Sequence, residues 1–179
     1  MTKRFKTGAL STPITPHELD MNNSHPQVGH IHLTVADLER SIAFYHDLLG
    51  FEISARYGDS AVFLSAGGYH HHIGLNTWAG KGARPAPRGH TGMYHVAFLY
   101  PSRLELAKVL QKLINANYPL DGSADHGVSE AIYLQDPDGN GVELYVDRPR
   151  SEWNVGNDGM VEMETQPLDL HSILRELEH

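Results

Sequence analysis

The chain has 179 residues, of which 40% are hydrophobic and 20% charged, a composition typical of a globular protein with one hydrophobic core. Its formal net charge is −8 and no Lys/Arg cluster forms a basic face, which argues against a nucleic-acid partner. With no cysteine, no membrane-length apolar run and no apolar leader, the sequence excludes thiolate chemistry and predicts a cytoplasmic location without membrane contact.

Residues 1–27 are predicted to form an N-terminal arm, because three prolines interrupt a stretch with few large apolar residues. Residues 28–78 then predict a β-α-β-β-β module. A strand is expected over 28–35, followed by a helix whose apolar repeat runs from Leu38 to Leu49 and stops at Gly50. Three short strands follow in FEISARY, SAVFLSA and HHIGLNTW.

The second half repeats this order after a linker, residues 79–92, that is rich in Gly and Pro. In the module 93–147, a strand over 93–100 precedes a helix, and further strands are expected in YPLDG, EAIYLQD and GVELYV. Two copies of a unit that cannot bury its sheet alone predict one domain over 28–150. The acidic tail, residues 151–179, is expected to contain a short amphipathic helix.

Two segments carry a resemblance to a known family: GHIHLTVADLERSIAFYHDLLGF in the first module and IYLQDPDGNGVELY in the second. Through them, residues 28–150 resemble the vicinal oxygen chelate superfamily, which includes glyoxalases, drug-resistance proteins and extradiol ring-cleaving dioxygenases. The resemblance implies an α+β fold of two paired β-α-β-β-β modules whose curved mixed sheets form a cup around a divalent metal. The chain is most similar to the catechol 2,3-dioxygenases, which commonly carry four such modules.

The resemblance places the metal ligands at His30, His95 and Glu143. Two imidazoles and one carboxylate are the ligand set of non-haem Fe(II) oxygenases, so the implied cofactor is Fe(II), with Mn(II) as the alternative. The implied function is an extradiol dioxygenase that acts on a catechol-type aromatic diol and dioxygen. Because two modules leave sheet edges exposed, we also predict a homo-oligomer.

Strand alternation supports these three positions without reference to a relative. Side chains at i and i+2 share one face of a strand, so each candidate ligand lies opposite the apolar residues of its strand. We therefore expect the apolar face to pack on the helix and the ligand face to line the cup. For any one of the three strands, a sheet with one face in water would give the same pattern.

Further site residues follow from the same resemblance. It implies an acid–base histidine near the end of the first module, where parity favours His72 and a one-residue bulge would favour His71. Tyr133 occupies the place of a tyrosine that hydrogen-bonds the substrate hydroxyl, and His126 lies on the loop before that strand. The predicted catalytic residues are therefore His72, Tyr133 and His126. The predicted substrate contacts are His32, His71 and Tyr145.

Gly74 separates the alternatives within the superfamily. It stands where glyoxalase I-type enzymes usually supply a second carboxylate, so its lack of a side chain favours oxygen chemistry. Two alternative functions stay open on the same fold: a metal-dependent glyoxalase-like isomerase or epimerase, and a drug-resistance-type binding protein.

Overall fold

The computed structural model describes residues 26–87 and 89–178, so the predicted arm lies outside the described residues apart from its last two positions. The first module consists of β1 (Ile31–Thr34), α1 (Leu38–Ile42) with a π-helical turn (Ala43–Leu48), β2 (Glu52–Tyr57), β3 (Ala61–Ser65) and β4 (Ile73–Asn76). The second consists of β5 (Val96–Leu99), α2 (Arg103–Asn115), β6 (Gly122–Asp125), β7 (Ser129–Gln135) and β8 (Gly141–Asp147).

Each module forms its own four-stranded mixed sheet. The strand orders are β1-β4-β3-β2 and β5-β8-β7-β6. In both sheets the first strand pairs in parallel with the last, and the remaining pairs are antiparallel. The predicted α+β fold with two β-α-β-β-β modules is confirmed.

A polar cap starts the α-helix of each module. The side chain of Asp37 accepts a hydrogen bond from the Arg40 amide at the start of α1, and Ser102 accepts one from the Glu105 amide at the start of α2. Such caps satisfy amide groups that the first helical turn leaves unpaired. Three leucines on the inner side of α2 are fully buried: Leu106, Leu110 and Leu113.

One apolar cluster joins the two modules. It contains residues from both helices and from the inner faces of both sheets. At its edge the Tyr45 hydroxyl donates to Asp136 Oδ2 over 2.9 Å, and the Tyr100 hydroxyl donates to the Leu49 carbonyl over 3.0 Å. Burial is the main cause that raises the pKa values of both tyrosines. Both hydroxyls therefore stay protonated and act as donors between the modules.

The opposite faces of the sheets point away from this cluster. On β1, Ile31 and Leu33 pack against the cluster, whereas His32 on the other face is exposed. On β8, Val142 and Leu144 belong to the cluster, and Glu143 lies on the other face. The sheet faces that carry the candidate ligands are therefore not the faces through which the modules meet.

The end of the chain runs back along β6. We call residues 164–178 the C-terminal strap; it includes α3 (Leu170–Leu174) and a 3-10 turn (Arg175–Glu178). Asp125 and Gln166 exchange two backbone hydrogen bonds of 2.9 Å, so the strap extends the edge of the second sheet. Ile173 of α3 is fully buried.

None of the helices within residues 26–87 and 89–178 combines the length and apolar character that crossing a bilayer requires. The cytoplasmic location stays a prediction from the sequence.

Candidate metal and acid–base site

His95 and Glu143 lie side by side on the second sheet. Glu143 is in β8, and His95 directly precedes the parallel neighbour β5. His95 Nε2 is 2.9 Å from Glu143 Oε2. Ligand atoms at about 2.1 Å from a cation, in adjacent octahedral positions, are ~3.0 Å apart. The pair therefore fits two neighbouring coordination positions of one divalent ion.

Gly141 permits this approach, and the sequence analysis missed it. A Cβ at position 141 would lie 2.2 Å from the Tyr94 carbonyl oxygen and 3.1 Å from the Cβ of His95. Only glycine therefore lets the start of β8 pack so closely against the chain that carries His95. Its signal in the sequence is the second glycine of the turn DPDGNG.

Tyr133 faces Glu143 across the β7–β8 pair. The two residues are register partners on neighbouring strands. Burial and the neighbouring carboxylate raise the pKa of Tyr133 to about 12. The hydroxyl is therefore protonated near neutral pH and available as a hydrogen-bond donor.

The ring of His126 contacts both Tyr133 and the C-terminal strap. Its Nε2 is 2.6 Å from the Tyr133 hydroxyl, and its Nδ1 is 2.8 Å from the backbone carbonyl oxygen of Glu164 in the strap. Tyr145, two positions after Glu143, is half-buried on the same face of β8. Burial and the carboxylates of Asp147 and Glu143 raise the pKa of Tyr145.

His30 lies on the first sheet, immediately before β1, and it is exposed. Its ring centroid is 4.4 Å from that of His71, whose Nδ1 is in turn 2.6 Å from His70 Nδ1. Burial and the surrounding histidines lower the pKa of His71, which favours its neutral ring.

His72 contacts the turn that follows β3. Its Nδ1 accepts a hydrogen bond from the Ala66 amide over 3.2 Å and lies 3.4 Å from Ser65 Oγ. Of the two histidines proposed for acid–base chemistry, His71 is thus the one whose ring stacks near His30.

His32 is packed over Gly74. A Cβ at position 74 would lie 2.9 Å from two ring carbons of His32. The ring is also 5.8 Å from Phe63 and 5.3 Å from Trp78, centroid to centroid. Gly74 therefore does more than omit a carboxylate, because it makes room for the imidazole of the neighbouring strand.

The structure thus brings the candidate residues into two groups. Glu143, His95, Tyr133 and His126 form a group on the second sheet, and His30, His71 and His32 lie on the first. In the part of the chain that the structure describes, no three His, Cys, Asp or Glu side chains lie close enough together to hold a metal ion. His30 therefore does not join His95 and Glu143 within one chain.

A cavity of about 580 Å³ lies elsewhere, in the groove between the modules. Phe44, Leu48, Tyr118, Pro119 and Pro137 make most of its wall apolar. The candidate metal donors do not line it, so donor chemistry rather than cavity volume locates the candidate site.

A family model described as Glyoxalase/Bleomycin resistance protein/Dioxygenase superfamily matches residues 27–144. Catechol-2,3-dioxygenase of Bacillus subtilis (strain 168) is 40% identical over 149 residues, which are 83% of this chain and 51% of that protein. Metallothiol transferase FosB of Lysinibacillus sphaericus (strain C3-41) is 30% identical over 122 residues, which are 66% of this chain and 80% of that protein. The chain therefore spans about half the length of the Bacillus relative.

The fold also matches solved structures. The crystal structure of a glyoxalase/dioxygenase from Nostoc punctiforme aligns with a TM-score of 0.58 at 17% identity, over 80% of this chain and 100% of that chain. At this identity the likeness shows the fold alone.

Proposed function

Because the chain belongs to the glyoxalase/bleomycin resistance protein/dioxygenase superfamily, we propose that it is an Fe(II)-dependent extradiol dioxygenase acting on catechol-type aromatic diols. The observation that carries the proposal is the 2.9 Å approach of His95 Nε2 to Glu143 Oε2, next to the Tyr133 hydroxyl. The 40% identity to a catechol-2,3-dioxygenase supports the same class of reaction.

The donor chemistry fits the proposed metal. An imidazole nitrogen and a carboxylate oxygen suit Fe(II), and with a second imidazole they make the facial triad of non-haem iron oxygenases; Mn(II) is the alternative. When bound, the ion would supply adjacent positions at which the diol and dioxygen react.

We place the third donor, His30, on a second copy of the chain. Val28 and Tyr94, which lie close in sequence to His30 and His95, are 92% and 90% exposed. Both ligand-bearing faces point away from the shared core, so the first module of one copy has room to face the second module of another. Such contact would cover the exposed apolar side chains and complete the ligand set in a homo-oligomer.

The remaining residues would bind substrate and move protons. The oxygen of the protonated Tyr133 hydroxyl would accept a hydrogen bond from a diol hydroxyl, and His126 holds the tyrosine hydroxyl in place. His71, beside His30, is the candidate acid–base group, with His72 as the alternate. A positioned group of this kind typically contributes ~10²–10⁴-fold to the rate. His32 and Tyr145 would line the substrate side.

The test is oxygen uptake by protein loaded anaerobically with iron. We expect about one iron per site, uptake with catechol or a substituted catechol, and a coloured ring-opened product. Glu143→Gln is the matched control, because it keeps the shape of the side chain and removes the anionic donor; it should lose both iron and uptake. Stoichiometric iron without uptake across a panel of substituted catechols would reject the proposal.

Two alternative functions stay open on this fold, because the metallothiol transferase relative, which this chain covers over 80% of its length, is not a dioxygenase by name. A metal-dependent isomerase or epimerase would bind a divalent ion and consume no oxygen, and a drug-resistance-type binding protein would need no metal. The same experiment separates them. A bound metal without oxygen uptake supports the first, and ligand binding without metal supports the second.

A further inference from the structure

We propose that the C-terminal strap is a positioning element of the site. The backbone carbonyl of Glu164 fixes His126 as its Nδ1–H tautomer, so that the Tyr133 hydroxyl proton points toward His126 and away from Glu143. The catalytic consequence of this arrangement rests on the proposed function, whereas the tautomer itself does not.

The tautomer follows from the two contacts of the ring. His126 Nδ1 lies 2.8 Å from the Glu164 carbonyl oxygen, and a carbonyl oxygen only accepts hydrogen bonds. Nδ1 must therefore carry a proton. In the neutral ring, Nε2 then has a lone pair and no proton, so the Tyr133 hydroxyl at 2.6 Å is the donor.

The direction of that proton matters for Glu143. The Tyr133 hydroxyl has one proton and lies 2.6 Å from His126 Nε2, while Tyr133 faces Glu143 across the β7–β8 pair. While the proton points to His126, the carboxylate keeps its lone pairs for a cation. The opposite tautomer would donate from Nε2 to the tyrosine oxygen, which would turn the hydroxyl proton toward Glu143 and compete with metal binding.

Backbone pairing holds the carbonyl in this position. The Glu164 amide donates to the His126 carbonyl over 3.2 Å, and the Gln166 amide donates to the Asp125 carbonyl over 2.9 Å. Residues 164–166 thus run antiparallel to 125–126 as an added edge strand. The Glu164 side chain lies over Gly127, where a Cβ would come within 3.2 Å of Glu164 Oε1.

The strap is anchored independently of the site. Arg103 donates from Nη1 to the Ser172 carbonyl and to Glu176 Oε1, both at 2.8 Å, and from Nε to the buried Glu130 at 2.6 Å. All of the strap lies beyond residues 27–144, which match the family model. The contact that positions His126 therefore comes from outside the segment that matches the family model.

The first measurement is the tautomer of His126 in metal-free protein. In protein labelled with ¹⁵N-histidine, the His126 signals are those lost in His126→Gln. We expect Nδ1 in the protonated-nitrogen range and Nε2 in the range of a bare nitrogen. A protonated Nε2 with a bare Nδ1 would overturn the proposal. Because this readout needs no iron, an inactive protein with the expected tautomer refutes the proposed function and leaves the positioning inference intact.

The second measurement compares Glu164→Pro with Glu164→Gln. Proline removes the amide that donates to the His126 carbonyl and disturbs the strap pairing, whereas glutamine keeps the backbone unchanged. We expect Glu164→Pro to show mixed tautomers and, in the iron-loaded protein, a kcat lower by about 10–100-fold with little change in KM. Glu164→Gln should match the parent protein in both. An unchanged tautomer in the proline variant, or an equal loss in the glutamine variant, contradicts the assignment to the backbone carbonyl.

Discussion

Gly74 and Gly141 are required because neighbouring atoms approach them closely, and not because the backbone there has a conformation that favours glycine. Neither has a positive φ, and a Cβ at either position would collide with a neighbour that belongs to the candidate site. At Gly141 the neighbour is the backbone before β5, which cannot move without moving His95. At Gly74 it is the imidazole of His32, which can turn only by leaving the space between Phe63 and Trp78.

Gly74→Ala is expected to destabilise the protein by about 1–3 kcal/mol, because overpacking forces the His32 ring out of its position. In the double variant Gly74→Ala/His32→Ala most of this loss should return, since the two residues are in contact. Urea unfolding measures all three free energies. Gly122→Ala is the matched control: a Cβ at position 122 would have nothing within 4 Å, so its effect should stay within about 0.5 kcal/mol. An unchanged free energy of unfolding for Gly74→Ala would show that His32 does not pack over this glycine.

At the scale of elements, Arg148 connects β8 to β6 and β7. It follows β8, its Nη2 donates to Asp125 Oδ2 over 2.5 Å, and the same nitrogen is 3.2 Å from Glu130. Arg103 of α2 also binds Glu130, whose side chain is buried. The hydrogen bond from Arg148, more than any other influence, lowers the pKa of Asp125. This network therefore ties the helix and two strands to the strand edge on which the strap lies.

Arg148→Met should lower the free energy of unfolding by about 1–3 kcal/mol at pH 7, because it leaves carboxylates without their donor. Since the folded pKa of Asp125 is below its ordinary value of 3.8, its contribution is present above that pH and disappears as the pH falls through the folded pKa. The difference between variant and parent should therefore shrink as the pH falls below about 3.8.

The comparison uses urea unfolding at several pH values. Arg56→Met is the matched control, because Arg56 pairs with Glu39 at 3.5 Å on the exposed surface and such pairs contribute about 0–1 kcal/mol. A difference for Arg148→Met that stays constant down to the lowest pH would mean that packing of the arginine stem, and not its charge, stabilises the network.

Element prediction from the sequence was best where alternation and a turn motif agree. EAIYLQD and GVELYV, separated by DPDGNG, correspond to β7 and β8 within about one residue. The strand predicted in YPLDG, which precedes EAIYLQD, was wrong in position, because β6 lies at Gly122–Asp125 instead. Tyr118 and Leu120 are apolar because they pack against the core from a loop, so their pattern does not mark a strand.

Two features of the site had no signal in the sequence. The acceptor for His126 is a backbone carbonyl, which any residue at position 164 would supply, so no residue type points to it. The separation of His30 from His95 and Glu143 depends on how the modules pack, and alternation within a strand fixes only the face on which each side chain lies.

At the scale of the whole molecule, the shared core determines where the candidate donors can meet. Both sheets use their apolar faces to build that core, which leaves the polar faces for contacts with another surface. A metal site with three protein donors then needs a first-module face and a second-module face from different copies. The proposed function therefore predicts that the subunits exchange donors, and this can be tested by mixing inactive variants.

His30→Ala and Glu143→Ala should each be inactive alone and regain activity when their chains are mixed by co-refolding. In a mixed dimer, one site combines the intact His30 of one chain with the intact His95 and Glu143 of the other. With about half of the dimers mixed and one of their two sites intact, activity should reach about a quarter of the parent value.

His95→Ala mixed with Glu143→Ala is the matched control. Both changes fall in the second module, so no combination of these chains gives a complete site. Oxygen uptake with catechol measures all mixtures. Equal inactivity of the two mixtures, with mixed dimers verified by mass, would mean that no donor is shared between copies.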